Sequence, residues 1–300
     1  MKFLIIGQSG LIGSALRANS EISYLDLHIN QWQAKSFKES LEKLILQSKL
    51  NKNSLKIIWA AGISNIESST NILDDEIGLI KDFLEVISKF NELINSLSFI
   101  SSAGSIYGGC DDEIITEETL PNPITNYGRS RLTIEDYFIN FGIANSTSIR
   151  IFRLSNVFGM KKNINNSSGL ILNLIKANML RKNINIFVPL TTTQDYIDVE
   201  FVSKNILSIL TSTTIDVVDV QKYILSRNYS HSIVEILSII DKFLRRKTPY
   251  LSHPIDSTIY RQSNLRFGID NSSYISNKIE PITFAIHNLI QKTYSELKIN

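Results

Sequence analysis

Tyr127 and Arg131 stand four residues apart in Tyr127-Gly128-Arg129-Ser130-Arg131. On a helix that spacing places both side chains on one face. A free tyrosine has a pKa of about 10, too high for a good base near neutrality. A cation beside it stabilises the phenolate and lowers that value. The pair suits the movement of a proton to or from an oxygen held nearby. A serine hydroxyl can donate to the same oxygen, and Ser101, Ser102 and Ser105 lie in the run Ser101-Ser102-Ala103-Gly104-Ser105-Ile106-Tyr107-Gly108.

A second constellation opens the chain. The apolar run Phe3 to Ile6 stops at Gly7-Gln8-Ser9-Gly10-Leu11-Ile12-Gly13. Glycines in such a turn let the backbone bend sharply and approach a pyrophosphate. The helix expected from Leu11 presents unpaired N–H groups and a positive dipole end, so Gly7, Gly10, Leu11, Ile12 and Gly13 form a candidate dinucleotide cradle. Asp26 ends the next short apolar run. A carboxylate there accepts hydrogen bonds from a ribose and repels a 2′-phosphate, which favours NAD over NADP. The alternative is a surface aspartate that only ends its strand.

These residues need a frame. Apolar runs at Phe3–Ile6, Ile22–Leu25, Leu55–Ala60, Leu97–Ile100 and Ser148–Phe152 read as strands. Helical patterns separate them at Leu11–Ala18, Phe37–Leu50, about 71–94 and about 129–141. Strands alternating with helices imply parallel pairing through right-handed crossovers. The expected fold is α/β, a doubly wound parallel (Rossmann) sheet over residues 1–155. A smaller C-terminal substrate-binding lobe is expected over 156–300, with about 190–212 packing back on the first. Helices are expected there near 170–179, 202–210, 232–243 and 283–297, and short strands near 184–188 and 222–225.

Composition closes off other classes. The 300 residues are 43% hydrophobic, enough to build a core and too many for a disordered chain. Lys+Arg 31 against Asp+Glu 29 leaves a net charge of +2 with no basic run, so no nucleic-acid partner is expected. Cys110 is the one cysteine and can make no internal disulfide. No apolar stretch reaches the roughly 18 residues of a membrane span, and the first apolar run is too short for a signal peptide. A cytoplasmic protein is expected. His28, His231, His253 and His287 are scattered, and no metal-ligand spacing occurs.

Taken together, the glycine turn, Trp59-Ala60-Ala61-Gly62, the serine run and Tyr127-x-x-x-Arg131 resemble the extended short-chain dehydrogenase/reductase family. The nearer likeness is to its NAD-dependent nucleotide-sugar epimerases, dehydratases and 4-ketoreductases. Arg153-Leu154-Ser155-Asn156-Val157-Phe158-Gly159, Gln194-Asp195-Tyr196-Ile197-Asp198-Val199 and Arg266-Phe267-Gly268-Ile269-Asp270 resemble further family segments, in family order. The resemblance implies an NAD(P)-dependent 4-epimerase or 4-ketoreductase of a nucleotide sugar, feeding surface polysaccharide synthesis, and a homodimer built through two long helices of each subunit. Tyr127 becomes the proton relay, with Arg131 beside it and a serine as helper. Ser102 is preferred because it closes the strand, with Ser101 and Ser105 open. Ala60, Ala61 and Gly62 join the cofactor set, and Ser102, Asn156 and Arg266 the substrate set.

The chain also departs from the family. Arg131 replaces the lysine of Y-x-x-x-K; it keeps the charge but cannot lose a proton. Gln194 stands where an arginine is usual. Ala103-Gly104-Ser105 lacks the Asp-Glu pair of the dehydratases, which makes dehydration the least favoured activity. These departures keep a non-catalytic dinucleotide-binding protein of the same fold as the alternative.

Overall fold

The computed structural model describes residues 1–20, 22–27, 34–161, 164, 167, 169–212, 218–253, 265–268 and 280–297. His28, Ile269 and Asp270 lie outside the described residues. The first half is built from β1 (Lys2–Ile6), α1 (Leu11–Arg17), β2 (Tyr24–Leu25), α2 (Ala34–Gln47), β3 (Leu55–Trp59), α3 (Thr70–Ser88), β4 (Ile94–Ser102), α4 (Ala103–Ile106), α5 (Asn126–Asn145) and β5 (Ser148–Leu154). The second half adds β6 (Asn156–Phe158), α6 (Leu170–Leu180), β7 (Ile184–Ile186), β8 (Thr193–Asp198), α7 (Val199–Ser212), β9 (Val220–Leu225), β10 (Ser230–Ser232), α8 (Ile233–Leu244), β11 (Tyr250–Ser252) and α9 (Ile282–Leu297).

The main sheet has six strands in the order β2-β1-β3-β4-β5-β9, with every pair parallel. Strands covered on both faces can be apolar throughout, and β3 and β5 are buried at every position. One face carries α2, α3 and α5 over Trp59, Phe83, Phe99 and Phe138. The other carries α1 and α7 over Phe3, Ile5, Ile58 and Phe152. The strand order reverses between β1 and β3, and the crevice above their carboxyl ends is where ligands sit in such sheets. Gly7 and Ala60–Gly62 follow those two ends.

The chain crosses the expected boundary at 155 more than once. Of the segment 190–212, helix α7 packs on the main sheet while β8 joins a separate three-stranded sheet. Strand β9 returns to the main sheet as its sixth strand, although its sequence position suggested the smaller lobe. The remaining second-half elements enclose their own core, with Ile175, Ile236, Ile240 and Ile286 between α6, α8 and α9. The three-stranded sheet, β10-β8-β6, lines that core. Asp195 on β8 ties the two regions: it accepts from the Ser155 hydroxyl at 2.6 Å and from the Arg227 and Tyr229 amides at 3.0 and 3.2 Å.

The outward positions of α3 and α5 are mostly polar, with Ile72 and Ile143 also exposed. Asp74, Asp75, Lys81 and Glu85 are exposed on α3, and Arg129, Thr133, Asp136 and Asn140 on α5. No helix among the described residues is long and apolar enough to cross a membrane.

Candidate active site

Three glycines shape the loop after β1, and each is held by backbone. Gly7 has φ +92°, and a Cβ there would lie 2.5 Å from the Ala61 nitrogen. A Cβ on Gly13 would lie 2.2 Å from the Gly7 carbonyl oxygen, so α1 packs on the turn only without a side chain. Gly10 donates to the Gly7 carbonyl at 2.9 Å, and Ala60 donates to the Ile6 carbonyl at 2.8 Å. Gln8 anchors the loop to the second strand by donating to the Leu27 carbonyl at 2.8 Å. The result is a backbone cradle at the start of α1 whose open positions a Cβ would fill. That shape fits a pyrophosphate. Gly7, Gly10, Leu11, Ile12 and Gly13 would hold the phosphates of a dinucleotide.

Asp26 follows β2 and is ion-paired with Arg17 of α1, whose guanidinium also sits 5.1 Å from the centre of the Tyr24 ring. The carboxylate expected to face a ribose thus has a cation beside it, one suited to a 2′-phosphate. Asp26→Asn would remove the repulsion and free Arg17. We expect the NADP-to-NAD affinity ratio to rise about tenfold, or about 1.4 kcal/mol, in calorimetric titrations with both cofactors. An unchanged ratio would leave Asp26 as a strand-ending surface residue.

The candidate proton-moving residues lie at the end of β4, on α4 and on the first turn of α5, which packs against α4. Ser102 caps α4, and its Oγ lies 3.0 Å from the Ser105 Oγ. Ser101 alternates to the other side, is buried, and its hydroxyl has no partner among the described residues. The two hydroxyls that share a node are therefore Ser102 and Ser105. Helix α5 begins earlier than its apolar pattern indicates, because the Thr125 hydroxyl accepts from the Gly128 amide at 3.0 Å and caps it. Tyr127 consequently sits in its first turn. A Cβ on Gly128 would lie 2.2 Å from the Ser105 carbonyl oxygen, so this glycine lets α5 bring Tyr127 against α4. Sequence reading passed over Gly128. We expect Gly128→Ala to cost about 1–3 kcal/mol, read as a lower denaturant midpoint, because α5 must move off α4.

Arg131 lies below Tyr127 on the same face, its guanidinium carbon 4.8 Å from the ring centre. It is 3% exposed and is gripped by Glu76 of α3, itself 1% exposed. Nη1 and Nη2 donate to the two carboxylate oxygens at 3.1 and 2.6 Å. Ser64 donates to the same carboxylate and accepts from Arg131 at 3.2 Å. Arg131 Nε is buried without a partner among the described residues, a donor that a ribose hydroxyl would satisfy. The pair lies beneath the Ala60–Gly62 turn, since a Cβ on Gly62 would be 3.8 Å from Glu76. Glu76 carried no signal in its local sequence; only the packing of α3 on α5 reveals it.

The expected acidity of Tyr127 needs correction. Burial raises its pKa above the ordinary value, more than Arg131 lowers it, and Glu76 adds to the rise. A buried phenolate loses its hydration, and a cation already paired with a carboxylate returns little of it.

The other candidates frame this centre. Arg153 is 1% exposed and donates to Glu135 at 2.6 Å and to the Tyr107 hydroxyl, so it braces α5 and α4 against β5. Asn156 is exposed at the start of β6 and donates to the Asp195 carbonyl at 3.3 Å. Arg266 is exposed, while its carbonyl accepts from Ile115 at 2.8 Å and Phe267 is buried beside Ile106 and Tyr107. The backbone of Arg266 is thus fixed near α4, and its side chain is exposed.

The NAD dependent epimerase/dehydratase family model matches residues 3–219. A Methanocaldococcus jannaschii protein named "Putative UDP-glucose 4-epimerase" is 25% identical over 218 residues, covering 67% of this chain and 70% of that protein. The structure of UDP-glucose 4-epimerase from Thermotoga maritima with UDP-glucose superposes with a TM-score of 0.79 at 15% identity, covering 99% of this chain and 100% of that one. MoeE5 in complex with UDP-glucose and NAD gives 0.78 at 18% identity, covering 99% and 100%. At those identities the two structures establish a shared fold.

Proposed function

The chain belongs to the NAD-dependent epimerase/dehydratase family, and from that premise we propose that it is an NAD(P)-dependent enzyme acting at C4 of a nucleotide sugar, as a 4-epimerase or 4-ketoreductase. The observation that carries this reading is the close packing of Gly128 on the Ser105 carbonyl, which sets the first turn of α5, with Tyr127, against α4, where the Ser102 and Ser105 hydroxyls lie 3.0 Å apart. A nicotinamide dinucleotide held there supplies or accepts a hydride at the sugar carbon. Tyr127 gives or takes the proton at the attached oxygen. Ser102 or Ser105 donates to that oxygen and fixes its position. Arg131 offers Nε to the cofactor ribose and is kept in place by Glu76. Asn156 and Arg266 bind the nucleotide diphosphate, where a guanidinium neutralises charge. Ala103-Gly104-Ser105 brings no acid–base pair for removing water, so dehydration is not part of the reading.

The test is a panel of nucleotide sugars and their 4-keto forms, assayed with NAD and NADP. Turnover of at least one, lost in Tyr127→Phe, is the expected result. Tight dinucleotide binding with no turnover of any sugar would instead favour a non-catalytic binding protein.

A further inference from the structure

Glu76 takes both ends of the Arg131 guanidinium, at 3.1 and 2.6 Å, in a pair almost wholly shielded from water. A bidentate pair so placed is neutral as a unit, and its two charges oppose each other at any third group. That third group is Tyr127. The charged groups acting on it are Arg131 from its own helix and Glu76 from α3. The end of β4 and α4 carry no charged side chain, and their polar groups include the Ser102 and Ser105 hydroxyls. On β5, Arg153 is spent on Glu135 and the Tyr107 hydroxyl.

Resting on the reading of Tyr127 as the proton carrier, we propose that Glu76 is a positioning residue that grips both ends of the Arg131 guanidinium, offsets its charge at Tyr127, and so fits the site to reduction of a nucleotide-linked keto sugar. In that direction the carbonyl carbon receives a hydride from a reduced nicotinamide dinucleotide. The carbonyl π pair moves to oxygen, which takes the Tyr127 proton. The products are the alcohol, the oxidised dinucleotide and a tyrosinate, which regains its proton from water. An epimerase asks more of the same residue, since it must first remove a proton from the alcohol. A phenol paired with a neutral unit is a poor base for that step.

Ionisation of Tyr127 can be read without cofactor or substrate, as the ultraviolet difference between each protein and its own Tyr127→Phe partner. In the wild type we expect ionisation above the ordinary tyrosine value, as burial dictates. Glu76→Gln leaves Arg131 charged and unopposed, and should lower the ionisation by about one pH unit or more. The double variant Glu76→Gln with Arg131→Gln is again neutral, and should titrate within about half a unit of the wild type. If Glu76→Gln does not fold, the double variant decides: a rise of more than about one unit would mean that Arg131 acts on Tyr127 despite Glu76, which overturns the proposal. An unshifted Glu76→Gln overturns it as well. Turnover then tests the substrate. Reduction of a 4-keto nucleotide sugar without epimerisation of the alcohol supports the assignment, and the reverse overturns it. The expected titration without turnover of any sugar would overturn the enzymatic reading itself, and with it the substrate assignment.

Discussion

Tyr127→Phe lowers turnover by about 10²- to 10⁴-fold, the usual contribution of a positioned acid or base, and leaves dinucleotide affinity nearly unchanged. The substitution removes one oxygen and nothing that holds the helix. Tyr127 is anchored by Gly128 against the Ser105 carbonyl and by Arg131 beneath its ring, and neither contact uses the hydroxyl. Steady-state rates with the best sugar, paired with a cofactor titration, read the two quantities separately. A fall in cofactor affinity as large as the fall in rate would mean that the hydroxyl binds the dinucleotide and moves no proton. The pH dependence has a defined sign. Burial and Glu76 push the phenol up, so the proton-donating form persists through neutrality. The reductive rate should stay flat there and fall only as alkaline pH removes the proton. The oxidative rate should rise over that alkaline range. A reductive rate that declines between about pH 6 and 8, within the histidine range, would assign the proton to another group.

The legible part of this chain was the part written in local patterns. An apolar run ending at glycine announced β1, a second apolar run announced β3, and their alternation with helices announced parallel order. The Gly7–Gly13 turn and the Tyr127–Arg131 spacing could be read because each is a short-range rule: a turn that needs no side chain, a helix face that repeats. What escaped was set by tertiary packing. Strand β9 follows α7 in sequence and looks like part of the smaller lobe, yet its partner is β5, some seventy residues earlier. Gly128 is an ordinary helix glycine until α4 is placed against it. Glu76 is one of three consecutive acids, Asp74-Asp75-Glu76, and reads as a solvated face. Two of the three are exposed, and the third turns inward to the buried Arg131. The acidity of Tyr127 was misjudged for the same reason. Spacing revealed the cation four residues away and could not reveal the burial that outweighs it or the carboxylate that opposes it.

Arg131→Met should destabilise the protein by about 3–5 kcal/mol, because it leaves the Glu76 carboxylate buried without a cation. The methionine fills much of the same space, so the loss is electrostatic. Ser64 can still donate to the carboxylate, but one hydroxyl does not replace two guanidinium bonds. Arg131→Lys keeps the charge and gives up the planar, two-point grip, and should fall between wild type and methionine. Adding Glu76→Leu to Arg131→Met removes the orphaned charge. Buried pairs replaced by apolar residues of similar volume are often neutral in stability, so most of the loss should be recovered. Chemical denaturation of the wild type, Arg131→Met, Glu76→Leu and the double variant gives the coupling energy directly. The recovered double variant is also the sharpest comparison for function. It has the fold, the glycine cradle and Tyr127, and lacks both the Nε donor and the neutral pair. If it binds dinucleotide as tightly as wild type, Arg131 contributes to architecture alone. If affinity stays low while stability returns, the buried pair serves the cofactor site, and α3 carries Glu76 to hold that arginine in place.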